Sequence, residues 1–123
     1  MSKIVIFSGG RDFCDRELFD SIMELYVAQD DIVYVGDCPS GLDAMVRAFG
    51  HEWQRIFKAD WRKYGRSAGP RRNADMCRAA MEFAENNGYP VLLIAFPGGR
   101  GTASCVQQAR RYGIPVMAMQ PRI

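Results

Sequence analysis

Several residue patterns that identify common protein classes are missing from this sequence of 123 residues. No Gly-Lys-Ser or Gly-Lys-Thr occurs, which excludes a Walker A phosphate loop. The four cysteines form no Cys-x-x-Cys pair, and the single histidine, His51, has no zinc-type spacing to any of them, so no metal site is predicted. We expect reduced thiols and no catalytic triad that pairs a cysteine with His51.

Long apolar runs and lysine are also scarce. No apolar run approaches the roughly 20 residues that span a membrane, so we expect a cytoplasmic protein without a membrane partner. Three of the 16 basic residues are lysines and the other 13 are arginines, whose planar guanidinium groups suit phosphates and carboxylates. The net charge of +2 is too small to indicate nucleic-acid binding by itself. The length suits one domain over residues 1–123, and no cofactor is predicted.

Short apolar runs alternate with amphipathic segments along the chain. Strands are predicted at residues 3–8, 32–35, 53–58, 91–96 and 115–118. Helices are predicted between them, with Asp15 and Ser40 as N-caps and Gly50 and Gly88 as stops. This rhythm predicts an α/β fold, a three-layer, Rossmann-like, doubly wound parallel sheet of about five strands in the order 3-2-1-4-5. The order reverses between strands 1 and 4, so a ligand crevice is expected there.

The fourth predicted strand, Val91–Phe96, runs into the glycine-rich turn Pro97–Thr102 and then into a helix with Thr102 as its predicted N-cap. Glycines let the backbone approach a ligand, and the free N–H groups of the first helical turn attract an anion. We predict that this turn binds the phosphate of a nucleotide-like metabolite; a tight turn without a ligand is the alternative. The predicted phosphate-binding residues either lie in the glycine turns after strands 1 and 4 or have a basic side chain that can reach these turns. They are Gly9, Gly10, Arg11, Arg72, Gly98, Gly99, Arg100, Gly101 and Thr102.

Residues 59–68 are predicted to form a loop of about ten residues, which is long for a compact domain. Five basic residues and no acidic residue occur from Arg62 to Arg72, and the aromatic residues Trp61 and Tyr64 are interleaved with them. Cations and aromatic rings together can clamp a nucleotide or grip a nucleic-acid strand; a solvated loop with its rings in the core is the alternative. A nucleic-acid-binding module that uses this segment is therefore the second functional hypothesis.

Four segments share a pattern with one known superfamily. They are Ser8-Gly9-Gly10-Arg11-Asp12, Gly41-Leu42-Asp43, Ala59-Asp60-Trp61 with Gly69-Pro70-Arg71-Arg72-Asn73, and Phe96-Pro97-Gly98-Gly99-Arg100-Gly101-Thr102. They resemble the small YspA-type branch of the SLOG superfamily, which also takes in the LOG proteins and relatives of the DNA-processing protein DprA. The resemblance covers nearly the whole chain and implies a Rossmann-like fold, a nucleotide-type ligand and a homodimer.

LOG enzymes cleave the N-glycosidic bond of nucleoside monophosphates, and their signature is Pro-Gly-Gly-x-Gly-Thr-x-x-Glu with an Arg-Lys pair upstream. Pro97–Thr102 matches this signature, and Arg72 resembles the upstream arginine. Asn73 stands in place of the lysine and Cys105 in place of the glutamate. Because a carboxylate would stabilise an oxocarbenium-like sugar, the resemblance implies phosphate binding without implying LOG hydrolysis.

No catalytic residue is assigned, but three candidates follow from position. Asp12 and Asp37 follow strands 1 and 2, and Asp37 is placed to bind ribose hydroxyls; loop capping is the alternative. Cys105 lies early in the helix after the glycine turn, where the helix dipole favours a thiolate; a small buried hydrophobic residue is the alternative. Weaker candidates for a substitute acid are Asp43, Asp60 and Asp75.

Overall fold

A computed structural model describes residues 2–119, which form a five-stranded sheet flanked by helices. The elements in chain order are β1 (Ile4–Ser8), α1 (Arg16–Tyr26), β2 (Ile32–Gly36), α2 (Gly41–Phe49), β3 (Gln54–Phe57), α3 (Trp61–Tyr64), α4 (Ala68–Asn87), β4 (Val91–Ala95), α5 (Arg100–Arg111) and β5 (Val116–Ala118). All strand pairs are parallel and the order is β3-β2-β1-β4-β5, which confirms the predicted topology. Within residues 2–119 no helix is both long and apolar enough to cross a membrane.

β1, β2 and β4 are apolar on both sides because each face of the sheet is covered by helices, whereas the edge strand β3 contains Gln54 and Arg55. Ile4 and Ile6 of β1 pack in a cluster that includes Met76 of α4 and Ala109 of α5. The alternate residues of β1 point the other way and pack with buried side chains of α1 and α2 such as Phe19. Helices therefore cover both faces, and the architecture has three layers.

The central strand β1 pairs with β2 on one side and β4 on the other. Ser8, the last residue of β1, lies opposite Ala95, the last residue of β4. The carboxyl ends of these strands therefore meet at the same edge of the sheet, at the reversal of strand order where ligand sites of such sheets occur. The loops that follow Ser8 and Ala95 define the region of the candidate site.

Several helix ends follow the sequence signals, and one predicted loop is wrong. The Asp15 carboxylate accepts a hydrogen bond from the Leu18 N–H at 3.1 Å, and Gly50 and Gly88 end their helices in the left-handed conformation. Residues 59–68 were expected to be a loop, but α3 and a 3₁₀ turn occupy 61–67 and α4 begins at Ala68. The physical reason is Asp60, whose Oδ1 accepts from the Lys63 N–H at 3.1 Å and caps α3.

Candidate functional site

The glycine turn after β4 leads directly into α5, but the helix begins earlier than predicted. Its N-cap is Gly99 and not Thr102, and no side chain caps its first turn. Thr102 instead lies inside the first turn, 8% exposed, and its buried Oγ1 has no hydrogen-bond partner within residues 2–119. With Gly99 as its N-cap, the helix begins at Arg100, two residues before Thr102. The first turn of α5 therefore has unsatisfied N–H groups and a buried hydroxyl beside them.

Two glycines of this turn face open space. A methyl group added at Gly99 or Gly101 would meet no atom within 4 Å, and both residues are exposed, as is Arg100 between them. A helix N-terminus carries a partial positive charge, and its N–H groups point away from the helix. Residues 99–101 thus offer a solvent-accessible backbone on which an anion can bind without displacing a side chain.

Gly98 and Gly10 serve a different purpose, which is to let two turns pack against each other. The Gly10 N–H donates to the Pro97 carbonyl at 2.9 Å. A methyl group at Gly98 would overlap Thr102 Oγ1 and lie 2.7 Å from the Gly10 nitrogen, and one at Gly10 would lie 3.0 Å from Gly98 Cα. Backbone therefore fills the place between the two turns where the sequence suggested a crevice.

The turn after β1 packs equally closely on the start of α2. A methyl group at Gly9 would lie 2.6 Å from Leu42 Cβ, so Gly9 makes room for α2. Ser40 is the N-cap of α2, as predicted, but its hydroxyl donates to the Arg11 carbonyl at 2.9 Å and does not cap the helix. The side chains of Arg11 and Asp12 are exposed, and neither forms an ion pair within the described chain. Their predicted roles in ligand binding and catalysis stay predictions.

Arg72 lies across the end of β2, where it is held by protein groups. Its Nη1 donates to Asp37 Oδ1 at 2.8 Å, and its side chain is 13% exposed. The guanidinium reaches this position because Gly36 has no side chain: a methyl group there would lie 2.5 Å from Arg72 Nη1. Asp37 also accepts from the Ala59 N–H at 3.3 Å. In the structure Arg72 therefore forms a salt bridge, and the capping alternative for Asp37 is realised.

Asn73 connects this ion pair to the glycine turn. Its Oδ1 accepts from Arg72 Nε at 2.9 Å, and its Nδ2 donates to the Gly101 carbonyl at 3.3 Å. Asn73 is 5% exposed, so its amide group depends on these two bonds for its hydrogen-bond partners. A continuous chain of polar contacts therefore runs from Asp37 through Arg72 and Asn73 to the first turn of α5. No local sequence pattern indicates this link, because Arg72 is 35 residues from Asp37 and Asn73 is 28 residues from Gly101.

Asp43 is a buried carboxyl group in the same cluster. Its Oδ2 accepts from the Cys38 N–H at 3.3 Å. Burial raises the pKa of Asp43 above its ordinary value, and the nearby Asp37 charge adds to this, although Arg72 and Arg47 act to lower it. Arg47 is engaged by the carbonyls of Gly36 and Cys38. Burial of Asp43 thus favours the neutral form of its carboxyl group.

Cys105 lies beneath the turn and contacts a second thiol. It is fully buried, and its Sγ is hydrogen-bonded to Cys77 of α4 and to the Ser8 hydroxyl. The bond with Cys77 lowers the pKa of Cys105 against the effect of burial, and the same bond raises the pKa of Cys77. Cys105 has no solvent-exposed surface through which to reach a ligand, so a catalytic role for it stays an untested prediction. In residues 2–119 no group of three His, Cys, Asp or Glu side chains is arranged to hold a metal ion.

A groove of about 590 Å³ adjoins the glycine turn on the side away from β1. One end is formed by the turn and Thr102, and the walls come from α5 and from the end of β5. Its volume lies within the range of roughly 300–1,000 Å³ that small-molecule sites occupy. The sequence suggested the opposite side of the turn, so this groove was not predicted.

Comparison with known proteins identifies a relative of similar length. The chain is 30% identical over 125 residues to the Gene 61 protein of Mycobacterium phage D29, and the match covers 92% of this chain and 93% of that protein. This chain belongs to the Gene 61 protein family. No family model matches it.

In this member of the Gene 61 protein family, the basic segment from Trp61 to Arg71 forms α3, a 3₁₀ turn and the start of α4, and residues 61–67 are exposed. The Tyr64 ring is covered by the Arg71 guanidinium, 4.3 Å from its centre, and approached by the Lys63 ammonium at 5.1 Å. Arg71 is further held by the Ser67 hydroxyl at 3.2 Å. Trp61 is 55% exposed. Of the two rings, Trp61 is therefore the one with a face available for stacking.

Proposed function

We propose that this protein binds a nucleotide or a nucleotide-derived ligand, with a phosphate group on the turn Gly98–Thr102. The observation that carries the proposal is the combination of open backbone at Gly99 and Gly101 with the unpartnered, buried hydroxyl of Thr102 in the same turn. A buried hydroxyl without a partner costs free energy in the unliganded protein. An anion on the neighbouring N–H groups gives that turn the acceptor it lacks.

The charges around the turn support an anionic ligand. Arg100 is exposed at the first position of α5, where its guanidinium can close over a bound phosphate. Arg72 supports the turn indirectly, through Asn73 and the Gly101 carbonyl. The resemblance to SLOG proteins favours a nucleotide over a simple anion. A sensor and a hydrolase of nucleotide or ADP-ribose-like substrates both begin with this binding step.

Calorimetry and thermal unfolding test the proposal with nucleoside monophosphates, ADP, NAD, ADP-ribose and inorganic phosphate. A ligand at 100 times its Kd stabilises the folded state by about 2.7 kcal/mol, so at least one nucleotide class is expected to raise Tm. Arg100→Ala should reduce the affinity about tenfold, whereas Arg111→Ala, an exposed arginine at the other end of α5, should not. Chromatography for a released base then separates a hydrolase from a sensor. No shift with any of these ligands at millimolar concentration contradicts the proposal.

A second candidate function, binding of single-stranded nucleic acid, is favoured by the half-exposed indole of Trp61 among basic side chains. For such binding, the logarithm of the binding constant falls linearly with the logarithm of the salt concentration, with a slope of about −0.7 per phosphate contact. Fluorescence anisotropy of an oligonucleotide across a salt series is the test, with Trp61→Ala as the variant. Two results together would favour this function over the first. The plot of log affinity against log salt concentration would be steep and equally steep in Arg100→Ala, and Trp61→Ala would lose affinity for the oligonucleotide.

The homodimer implied by the resemblance is also a proposal. Phe49, Trp53 and Ile56 are 50%, 56% and 42% exposed near the β3 edge of the sheet, and their apolar surface supports a self-contact there. Sedimentation at several concentrations tests it. Trp53→Glu is expected to shift the equilibrium to monomer, and a monomer at all concentrations of the unmodified protein contradicts it.

A further inference from the structure

We propose that the base of the bound nucleotide lies in the groove between α5 and β5, and that this base is a purine. The inference rests on the proposed function and specifies on which side of the phosphate turn the rest of the bound ligand lies. The side toward β1 is filled where the Gly10 N–H meets the Pro97 carbonyl. The side toward β5 is an open volume of about 590 Å³ that begins at Gly98, Gly99 and Thr102.

The lining of the groove suits a flat aromatic group. Apolar surface comes from Val106 on the helix and Met119 after β5, whereas the Phe96 ring is buried against Phe7, Phe13 and Phe19 on the other face of the sheet. The α5 residues in the lining follow spacings of three and four, so they form one continuous face of the helix. A ligand anchored by its phosphate at the helix N-terminus would lie along this face with its base against apolar side chains.

Two polar side chains of α5 border the same groove, Gln107 and Arg110. They lie five and eight residues beyond Thr102, or roughly 7.5 and 12 Å along the helix axis. Neither forms a side-chain hydrogen bond or an ion pair within residues 2–119, so both are free to meet a ligand. A glutamine amide pairs with N6 and N7 of adenine, and an arginine pairs with O6 and N7 of guanine. Both residue types thus read the N7 edge that only purines have.

The position of Thr102 also supports a ligand that extends from the phosphate turn toward β5. It lines the groove as well as the phosphate turn, and its Oγ1 is the buried atom without a partner. The first turn of α5 and the groove that extends to Arg110 therefore share Thr102 as a lining residue, although its hydroxyl is covered in the unliganded protein. The ligand class is a purine nucleoside phosphate bound along α5.

Titration calorimetry with AMP, GMP, CMP, UMP and ribose 5-phosphate tests the inference on the full chain. Ala118→Leu fills the groove from the β5 wall, at an exposed position away from the phosphate turn. It should weaken AMP or GMP binding more than tenfold and leave ribose 5-phosphate binding within twofold. Ala48→Leu, an exposed alanine beside a separate groove of about 370 Å³ on α2, is the matched control and should change neither. Gln107→Ala or Arg110→Ala should abolish the preference for purines.

The outcomes separate this inference from the proposed function. Nucleotide binding that is unaffected by Ala118→Leu, or equal affinity for all four monophosphates, overturns the inference and leaves phosphate binding at the turn standing. Failure of every probe to bind, ribose 5-phosphate included, overturns both. Equal loss of ribose 5-phosphate and AMP in Ala118→Leu overturns the assignment of the groove to the base.

Discussion

Arg72 Nη1 lies 2.8 Å from Asp37 Oδ1, and this ion pair joins the start of α4 to the end of β2. Gly36 makes the approach possible, and Asn73 extends it to Gly101 at the phosphate turn. Arg72 is therefore a positioning residue in the unliganded protein. Its Nε donates to Asn73 and its Nη1 to Asp37, so it acts on the turn through its neighbour Asn73.

Arg72→Met is expected to lower the free energy of unfolding by about 2 kcal/mol, because it leaves Asp37 and the buried Asp43 without their nearest positive charge. Arg78→Met is the matched control, since Arg78 pairs with Asp75 at the same 2.8 Å but both side chains are more than half exposed. That variant should change stability by less than about 0.5 kcal/mol. Urea unfolding measures both, and equal effects would contradict the argument.

Asp43→Asn is expected to change how stability depends on pH. Burial raises the pKa of Asp43 in the folded state, so the folded protein binds this proton more tightly than the unfolded chain. The stability contributed by this group is complete below the ordinary pKa of 3.8 and is lost as the pH rises through the folded value. Relative to the unmodified protein, Asp43→Asn should therefore gain stability as the pH rises above about 4.

Gly98→Ala and Gly101→Ala should have opposite effects on stability. The added methyl group at Gly98 overlaps Thr102 Oγ1 and crowds the Gly10 nitrogen, so a loss of about 1–3 kcal/mol is expected. The methyl group at Gly101 meets nothing, and alanine is the better helix former by roughly 0.5–1 kcal/mol. Thermal unfolding followed by circular dichroism measures both. A Gly98→Ala variant as stable as the unmodified protein would show that the two turns do not pack as described.

Thr102→Val is expected to separate stability from binding. Valine keeps the shape of threonine and removes the hydroxyl that has no partner, so the unliganded protein should be unchanged or more stable by about 1 kcal/mol. Affinity for the phosphate probe should fall about tenfold if the hydroxyl meets the ligand. Denaturant unfolding and calorimetry on the same sample measure both quantities. A clear loss of stability without a loss of affinity would mean that the hydroxyl serves the fold alone.

The sheet was predictable because its signals are local. The first, second and fourth apolar runs are each followed by a glycine or proline, and a run such as Val91–Phe96 is too short for a helix and too apolar for a half-exposed strand. The alternation of strands and helices then leaves few parallel topologies, and the observed order is the predicted one. The error at residues 59–68 came from reading bases and glycine as a loop, although the Asp60 cap was visible in the sequence.

The site was predictable in place and less so in detail. A glycine after a strand indicates close approach of backbone, but the sequence does not say whether the approaching group is a ligand or another turn. Gly99 and Gly101 face solvent, whereas Gly9, Gly10 and Gly98 pack on protein. The pairing of Arg72 with Asp37 depends on where two distant helices and strands meet, which no local pattern encodes.

The position of β1 in the centre of the sheet has a consequence for synthesis on the ribosome. β1 is made first, but its partner β4 follows about 80 residues later. At a translation rate of about 5–20 residues per second, a nascent chain carries the unpaired edge of an almost wholly apolar strand for roughly ten seconds. During that interval the open edge of Ile4–Ser8 is a template for wrong pairing, which makes this segment the place where a chaperone would be needed most.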